Sequence, residues 1–526
     1  MESSVGRYAQ FFAHRLRKAV GLTFKTKLRG NFDAQWYRNQ YLGSDPISDP
    51  LDHYLAEGIR RGHSPNAWFD ESFYVSFYSD VRGAVAKGHF ACGFDHYLAR
   101  GRSEKRLARH DLEQALETRM LGITTPVLLP KVEALQRRLT PIPAMRSRRS
   151  SRILWFLLPT LNPDIMFGGY RCVLELITSL VRHGRQVKVL VCENYESNRE
   201  YFQFHYRNTP IGEAFSGVEL FNRWQLARPL DIGPDDRFFA YSGWEAVLAH
   251  MLVALTNEQR FVFLVQEYEP IFNEYGSEHA ILSNSYTFPH LPIFNSDLLR
   301  LYFEENRLGI FSSTQQSGTR PEFVVIEHVL TGAASPGQPL AKAKSGPRRL
   351  VMYARPEEHA ARNLFPLGVL GLRHAIERRI FQGPWELFGI GALSTRYKVH
   401  LPEGYEITLK SRVESEKYLE FLANTDVGIS LMYAPHPGLV SLELARSGAR
   451  VVTNTFRNRN AQYIRSISEN LIPCEPTVEG ISSALQEAVA GLADVESRNR
   501  GRSIRGPRSW DDVFDHNFFE RLANFC

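Results

Sequence analysis

The sequence predicts an α/β protein in which two parallel-sheet domains follow a small, mainly helical repeat module. Three observations carry this reading. First, an apolar strand at 427–432 runs through the loop Ala434-Pro435-His436-Pro437-Gly438 into a helix bearing Glu443. That helix stops at Ser447-Gly448 ahead of a second strand at 451–453, which makes a strand-helix-strand unit of a parallel sheet. Second, a similar unit opens at residue 153. Third, residues 32–101 contain an internal duplication.

The length of 526 residues fits three or more domains at ~150 residues each. With 43% hydrophobic and 23% charged residues the composition is that of an ordinary globular protein, and no apolar run approaches the ~20 residues of a spanning helix. Five cysteines (Cys92, Cys172, Cys192, Cys474, Cys526) lie far apart, without paired spacing or a signal-peptide core, so a reducing cytoplasm is expected. Residues 1–30 hold Arg7, Arg15, Arg17, Lys18, Lys25, Lys27 and Arg29 against Glu2, a surplus equal to the whole chain's +6. The rest of the chain is therefore charge-balanced, which argues against a nucleic-acid-binding body. Tyr8, Phe12, Leu16 and Val20 recur every fourth residue among those cations, as in a helix lying on an anionic membrane. A frayed basic terminus is the other reading.

In the duplication, Phe32-Asp33, Trp36-Tyr37 and Tyr41 return 37 residues later as Phe69-Asp70, Phe73-Tyr74 and Tyr78. Asp52-His53-Tyr54-Leu55 with Gly58 returns at an offset of 43 as Asp95-His96-Tyr97-Leu98 with Gly101. Two copies of one helical unit, each burying its aromatic face on the other, explain the pattern, and the paired histidines read as packing or capping residues without chemistry. Residues 111–150 read as a helical or loose connector that ends in a basic, Ser-rich stretch.

The first α/β domain is expected over 151–335. Strand 153–158 leads through Phe167-Gly168-Gly169 into a helix at 173–182, and Gly184 ends that helix before strand 187–191. Further strands are expected at 238–242, at 261–265 ahead of Gln266-Glu267-Tyr268-Glu269, at 292–295 and at 323–326. Gly168 and Gly169 let backbone approach a ligand closely, though no Gly-x-Gly-x-x-Gly is present. Glu267 and Glu269 follow a strand into the expected cleft and are candidates for contact with a second substrate.

After a linker at 332–349, the second domain is expected over 347–495. Strand 350–353 enters Ala354-Arg355-Pro356 and then Arg362-Asn363, strand 386–389 enters Gly389-Ile390-Gly391, and strand 406–409 enters Lys410-Ser411. Parallel strands would bring these loops and the Pro437-Gly438-Leu439 turn to one edge, where open α/β sheets bind ligands and a helix N-terminus favours phosphate. A helix end contributes ~0.3–2 kcal/mol, while charged hydrogen bonds add roughly 1.5–3 kcal/mol each. Arg355, Arg362 and Lys410 are therefore the residues suited to hold a diphosphate.

Tyr-Ala-Arg-Pro with Arg-Asn, Gly-Ile-Gly, and His-Pro-Gly followed by Ser-Leu-Glu-Leu-Ala-Arg-Ser-Gly resemble a GT-B glycosyltransferase of glycosyltransferase family 4. Together with Phe-Gly-Gly and Gln-Glu-Tyr-Glu, these motifs are most similar to the WsaF-type bacterial rhamnosyltransferases across residues 150–526. The N-terminal repeat resembles modules attached to bacterial polysaccharide glycosyltransferases. The resemblance implies two Rossmann-like domains facing a cleft, the first for the acceptor and the second for the nucleotide sugar, with a C-terminal crossover helix at 496–526 returning to the first. Glu443 matches the second of the family's two glutamates spaced by seven residues, which holds the nucleotide ribose. Pro435 stands where the first belongs, so the donor sugar's contact must come from His436 or the Gly438-Leu439 amides. Arg355 matches the family's phosphate-binding arginine, and Arg362 stands near its usual lysine.

The resemblance further implies transfer of an activated sugar, with dTDP-L-rhamnose the expected donor, onto a saccharide or lipid-linked saccharide hydroxyl with retention at the anomeric carbon. Arg355, His436 and Glu267 are the expected catalytic residues. The cation cluster would stabilise the departing diphosphate. The chain holds no Asp-x-Asp pair, so neither a metal nor another cofactor is expected. The expected site is cytoplasmic, with peripheral attachment at the inner face of the membrane through residues 1–30. A catalytically inactive scaffold binding nucleotide sugar or polysaccharide is the alternative.

Overall fold

The computed structural model describes residues 24–522 apart from 25–26, 44–48, 105, 107, 110–124, 167, 194–198, 313–320, 331–345, 393–397 and 411–414. The tail residues Arg7 to Val20 and the middle of the expected linker thus lie outside the described residues. The chain forms two compact units, Met1–Glu133 and Ala134–Cys526.

The first unit carries the duplication. Asp33 accepts from the Trp36 amide at 2.9 Å to open helix Ala34–Tyr37, and Asp70 does the same for Phe73 at 2.9 Å in helix Glu71–Phe77. The helices Pro50–His53 and Gly93–His96 continue into π-helical turns, Tyr54–Gly58 and Tyr97–Gly101. The buried Tyr37 hydroxyl lies 3.0 Å from His53 Nδ1, and the buried Tyr74 hydroxyl 3.1 Å from His96 Nδ1. Each histidine therefore satisfies a buried tyrosine, which is a packing role. The copies differ where His63 stacks on Tyr41 at 4.0 Å, while in the second copy the Arg106 guanidinium covers Tyr78 at 4.8 Å.

Among the described residues the second unit holds sixteen strands: β1 (Ala144–Arg146), β2 (Leu154–Leu158), β3 (Val187–Val191), β4 (Glu219–Asn222), β5 (Leu230–Ile232), β6 (Arg237–Ala240), β7 (Phe261–Val265), β8 (His290–Phe294), β9 (Val324–Val325), β10 (Arg348–Tyr353), β11 (Trp385–Ile390), β12 (Val399–His400), β13 (Glu406–Lys410), β14 (Val427–Ile429), β15 (Arg450–Asn454) and β16 (Leu471–Cys474). The first sheet runs β4-β3-β2-β6-β7-β8-β9, all parallel. The second runs β12-β13-β11-β10-β14-β15-β16 and is parallel except for β12. β2, β7 and β8 are buried along their whole length, as strands covered on both faces by helices must be.

Several boundaries differ from the sequence reading. The helix expected at 173 begins at Gly168, placing both glycines in its first turn. β14 ends at Ile429 rather than 432, because the Asn454 side chain takes over from the ladder, accepting from the Met432 amide at 2.7 Å and donating to its carbonyl at 3.0 Å. The connector, expected as helical or loose, is in part helical. Thr125–Leu139 is a helix, and β1 pairs with β5 in a small parallel sheet. Arg348 and Arg349 belong to β10, not to the linker. The C-terminal crossover is three short helices, Val495–Arg500, Trp510–Val513 and His516–Leu522, rather than one. Its Phe514, Phe518 and Leu522 pack into the core of the first sheet beside Leu154 and Phe156. Among the described residues no helix is long and apolar enough to cross a membrane.

Candidate active site between the two sheets

The parallel strands bring the ends of β10, β11, β13 and β14 to one edge, as the motif spacing requires. Beyond β14, Gly438 takes φ +79° and starts helix Leu439–Arg446. A side chain is strained at that φ, so glycine permits the turn that frees the first amides of the helix. His436 Nδ1 accepts from the Gly438 amide at 3.0 Å and braces the turn from inside. Burial, with Arg362 and Arg459 nearby, pushes the His436 ring down to about 3, so the ring is neutral at physiological pH. Pro437 and Leu439 flank the turn, and no carboxylate stands at Pro435. Glu443 is buried one turn further on and accepts from the Tyr418 hydroxyl at 2.7 Å.

The cations are not pooled as the sequence suggests. Arg355 is buried, with Nε donating to Glu357 Oε2 at 2.9 Å and Nη1 donating to the Tyr353 hydroxyl at 3.4 Å. Gly391 lies against Tyr353 and the Arg355 stem, while Gly389 packs on Leu409 and Ala354. Arg362 is not turned toward Arg355. It crosses to the first domain, where Nη2 donates to Glu267 Oε1 at 3.1 Å, Nε lies 2.9 Å from Glu267 Oε2, and the guanidinium covers Phe272 at 4.4 Å. Lys410 is exposed, with its ammonium 5.2 Å from the centre of the Phe388 ring.

The opposing wall comes from the first sheet. A Cβ on Gly169 would lie 2.8 Å from the Tyr241 hydroxyl and 3.3 Å from Gln266 Oε1, and one on Gly168 would lie 3.0 Å from Leu439 Cδ1 of the second domain. Glycine at these positions therefore permits both the local packing and the approach of the Leu439 helix. Glu267 is thus an ion-pair partner across the cleft rather than a free carboxylate. Glu269 Oε2 accepts from the Gly243 amide at 3.0 Å, at the start of helix Gly243–Val253, and burial pushes its carboxyl up to about 8.

Four neighbouring residues escaped the sequence reading. Glu245 is fully buried, and burial followed by repulsion from Glu193 raises its carboxyl well above the usual range. Tyr241 presents its hydroxyl to Gly169. His328 is buried with Nε2 lacking a hydrogen-bond partner among the described residues, and burial, with His436 nearby, pushes its ring down to about 3. Arg459 is 2% exposed and lies beneath the Gly438 turn. A usable signal existed for Arg459, since it follows β15 at the same strand edge. Tyr241 and His328 become neighbours of the site only through contacts distant in sequence.

Residues 153–297 match the description "WsaF, N-terminal domain" and residues 348–486 match "WsaF, C-terminal domain", together more than half of the chain. The O-antigen biosynthesis protein RfbC of Myxococcus xanthus is 28% identical over 236 residues, which is 44% of this chain and 16% of that much longer protein. Among solved structures, HepE of Anabaena in complex with UDP-glucose shares 13% identity at a TM-score of 0.47, covering 71% of this chain and 100% of that one. Sucrose-phosphate synthase of Thermosynechococcus elongatus shares 13% identity at a TM-score of 0.46, covering 72% and 100%. Two Rossmann-like domains enclosing a cleft, joined by a C-terminal segment that returns to the first, make up the GT-B fold. The chain belongs to the WsaF family.

Proposed function

We propose that the protein transfers L-rhamnose from dTDP-L-rhamnose to a saccharide hydroxyl during synthesis of a bacterial surface polysaccharide, with retention at the anomeric carbon. The observation that carries the reading is the single strand edge on which the Gly438 turn, Arg355 and Glu443 meet, opposite Gly168 and Gly169 of the first domain. Glu443 holds the ribose hydroxyls. The Gly438-Leu439 amides and Arg355 hold the diphosphate, and Arg362 joins them when it leaves Glu267. As the bond between the anomeric carbon and the β-phosphate oxygen breaks, these donors stabilise the charge that develops on the leaving group. The acceptor oxygen bonds to the anomeric carbon on the same face, and its proton passes to the departing phosphate oxygen. Neutral His436 orients the turn beside the sugar. No metal or other cofactor takes part. RfbC's description as an O-antigen biosynthesis protein supports the polysaccharide setting, and the cationic residues 1–30 attach the enzyme to an anionic membrane that carries the acceptor.

Pro435, in place of an acidic donor contact, favours a second reading in which the chain binds nucleotide sugar without turnover. One experiment tests both readings: a melting-shift panel of nucleotide sugars on wild type and Glu443→Ala, followed by assay of the best donor with saccharide acceptors and with EDTA. A donor at 100 times its dissociation constant stabilises by ~2.7 kcal/mol. An equal shift in Glu443→Ala removes the assigned nucleotide site. A donor shift without transfer to any acceptor selects the binding scaffold, and loss of transfer with EDTA overturns metal independence.

A further inference from the structure

Arg459 is a buried cation whose charge is not met by any carboxylate among the described residues. It is 2% exposed, Nη2 donates to Thr453 Oγ1 at 2.6 Å, Nη1 donates to the Asn454 carbonyl, and Nε has no hydrogen-bond partner among the described residues. Its two acceptors are neutral. Thr453 Oγ1 in turn donates to the Ser430 carbonyl at 2.7 Å, so the guanidinium is fixed to the ends of β14 and β15, directly below the ligand-facing loop. A Cβ on Gly438 would lie 3.7 Å from Nη2. The cation therefore sits against the positive end of the eight-residue helix Leu439–Arg446, where the helix dipole favours an anion and opposes a positive charge.

Burying a charge without a counter-ion is costly, and placing it beside a helix N-terminus adds to the cost. Burial lowers Arg459 to about 10, still charged at neutral pH. Arg355 and Arg362 have carboxylate partners in Glu357 and Glu267. Arg459 has none to give up. Its field in a buried surrounding acts on whatever occupies the turn above it, and an anion at the Gly438 amides would relieve it.

We infer that Arg459 is the positioning residue that makes the Gly438 turn selective for a diphosphate, acting through the buried turn rather than by touching the ligand. This rests on the nucleotide-sugar reading of the site. Its signature is discrimination by charge: affinity for the anionic part of the donor depends on Arg459, and affinity for the nucleoside does not. A residue that only braced the loop would, on removal, weaken nucleoside and diphosphate together.

The test is titration calorimetry of the full chain with inorganic pyrophosphate, dTDP and thymidine, on wild type, Arg459→Gln and Arg459→Lys, with Arg459→Met as a second charge-free variant should the glutamine protein not fold. The charge-free variant is expected to bind pyrophosphate and dTDP about tenfold or more weakly while thymidine changes less than twofold, and Arg459→Lys is expected to retain most of the diphosphate affinity. Equal pyrophosphate affinity in wild type and the charge-free variant overturns the inference and leaves the nucleotide site standing. Parallel losses for thymidine and dTDP overturn it in favour of a bracing role. A wild type that binds neither dTDP nor any other nucleoside diphosphate fails the underlying reading instead.

Discussion

The two sheets present opposite chemistry to the cleft they share. The ends of the first carry Glu193, Glu245, Glu267 and Glu269, with the Glu245, Glu267 and Glu269 carboxyls all raised by burial. The ends of the second carry Arg355, Arg362, Arg459 and Lys410, with His436 held neutral. The Arg362–Glu267 pair joins the two sets. The asymmetry teaches a division of labour. On the proposed function the second domain receives the diphosphate, while the first offers buried carboxyls whose raised values favour the protonated form and suit a neutral hydroxyl; free carboxylates there would repel the diphosphate.

The largest expected effect comes from removing the second-domain cation assigned directly to the diphosphate. Arg355→Ala deletes one or two charged hydrogen bonds to the diphosphate, worth roughly 1.5–3 kcal/mol each. We expect kcat/KM to fall by about 100-fold or more and dTDP affinity to fall with it. Unchanged dTDP affinity in a folded Arg355→Ala protein would break the comparison at its strongest point, because the anion would then be held elsewhere.

How much of this was legible in the sequence follows from what each residue depends on. β2, β3 and β7 could be read because strands covered on both faces are continuous apolar runs, and the Leu439 helix could be read because His-Pro-Gly and Ser-Gly punctuate its ends. The short strands β1, β5 and β12 were missed, and so were β4 and β16. β4 begins with the exposed Glu219, and β16 contains Pro473, so neither shows a clean run. The helix at Gly168 started five residues early because its glycines signal a turn, whereas here they sit in the first helical turn to admit Tyr241 and Leu439. Arg355, Gly438 and Glu443 were legible because their places are local to strand ends. The partner of Arg362 was not, since Glu267 lies 95 residues away and the pair exists only once two domains meet.

That pair gives the next effect in size. In the present geometry Glu267 pairs with Arg362, so on the proposed function diphosphate binding competes with that pair. Glu267→Gln is expected to tighten dTDP binding several-fold while lowering transfer about tenfold, since the two halves lose the contact that aligns them. The double variant with Arg362→Gln reads the coupling directly, which for contacting residues amounts to about 0.5–3 kcal/mol. Additive effects on dTDP affinity would mean that the contact is incidental, and the two walls would then act independently.

The smallest effect tests whether the first wall is protonated in fact. Glu269 has a folded value of about 8 against an ordinary 4.5, so between those values the folded carboxyl keeps a proton that the unfolded chain has lost. Stability contributed by this group therefore falls as pH rises from 4.5 to 8. His436 and His328, lowered to about 3 from 6.5, act with the opposite sign, and their contribution is lost as pH falls from 6.5 toward 3. Comparing Glu269→Gln with wild type cancels the histidines and leaves the carboxyl alone. Glutamine imitates the protonated acid, keeps an oxygen to accept from the Gly243 amide and never ionises. The variant should melt within a degree of wild type near pH 4.5 and a few degrees above it at pH 8 and beyond. A melting difference that stays flat across this range would mean that Glu269 is ionised in the folded protein, and the contrast between an anion-binding wall and a protonated wall would then rest on Glu245.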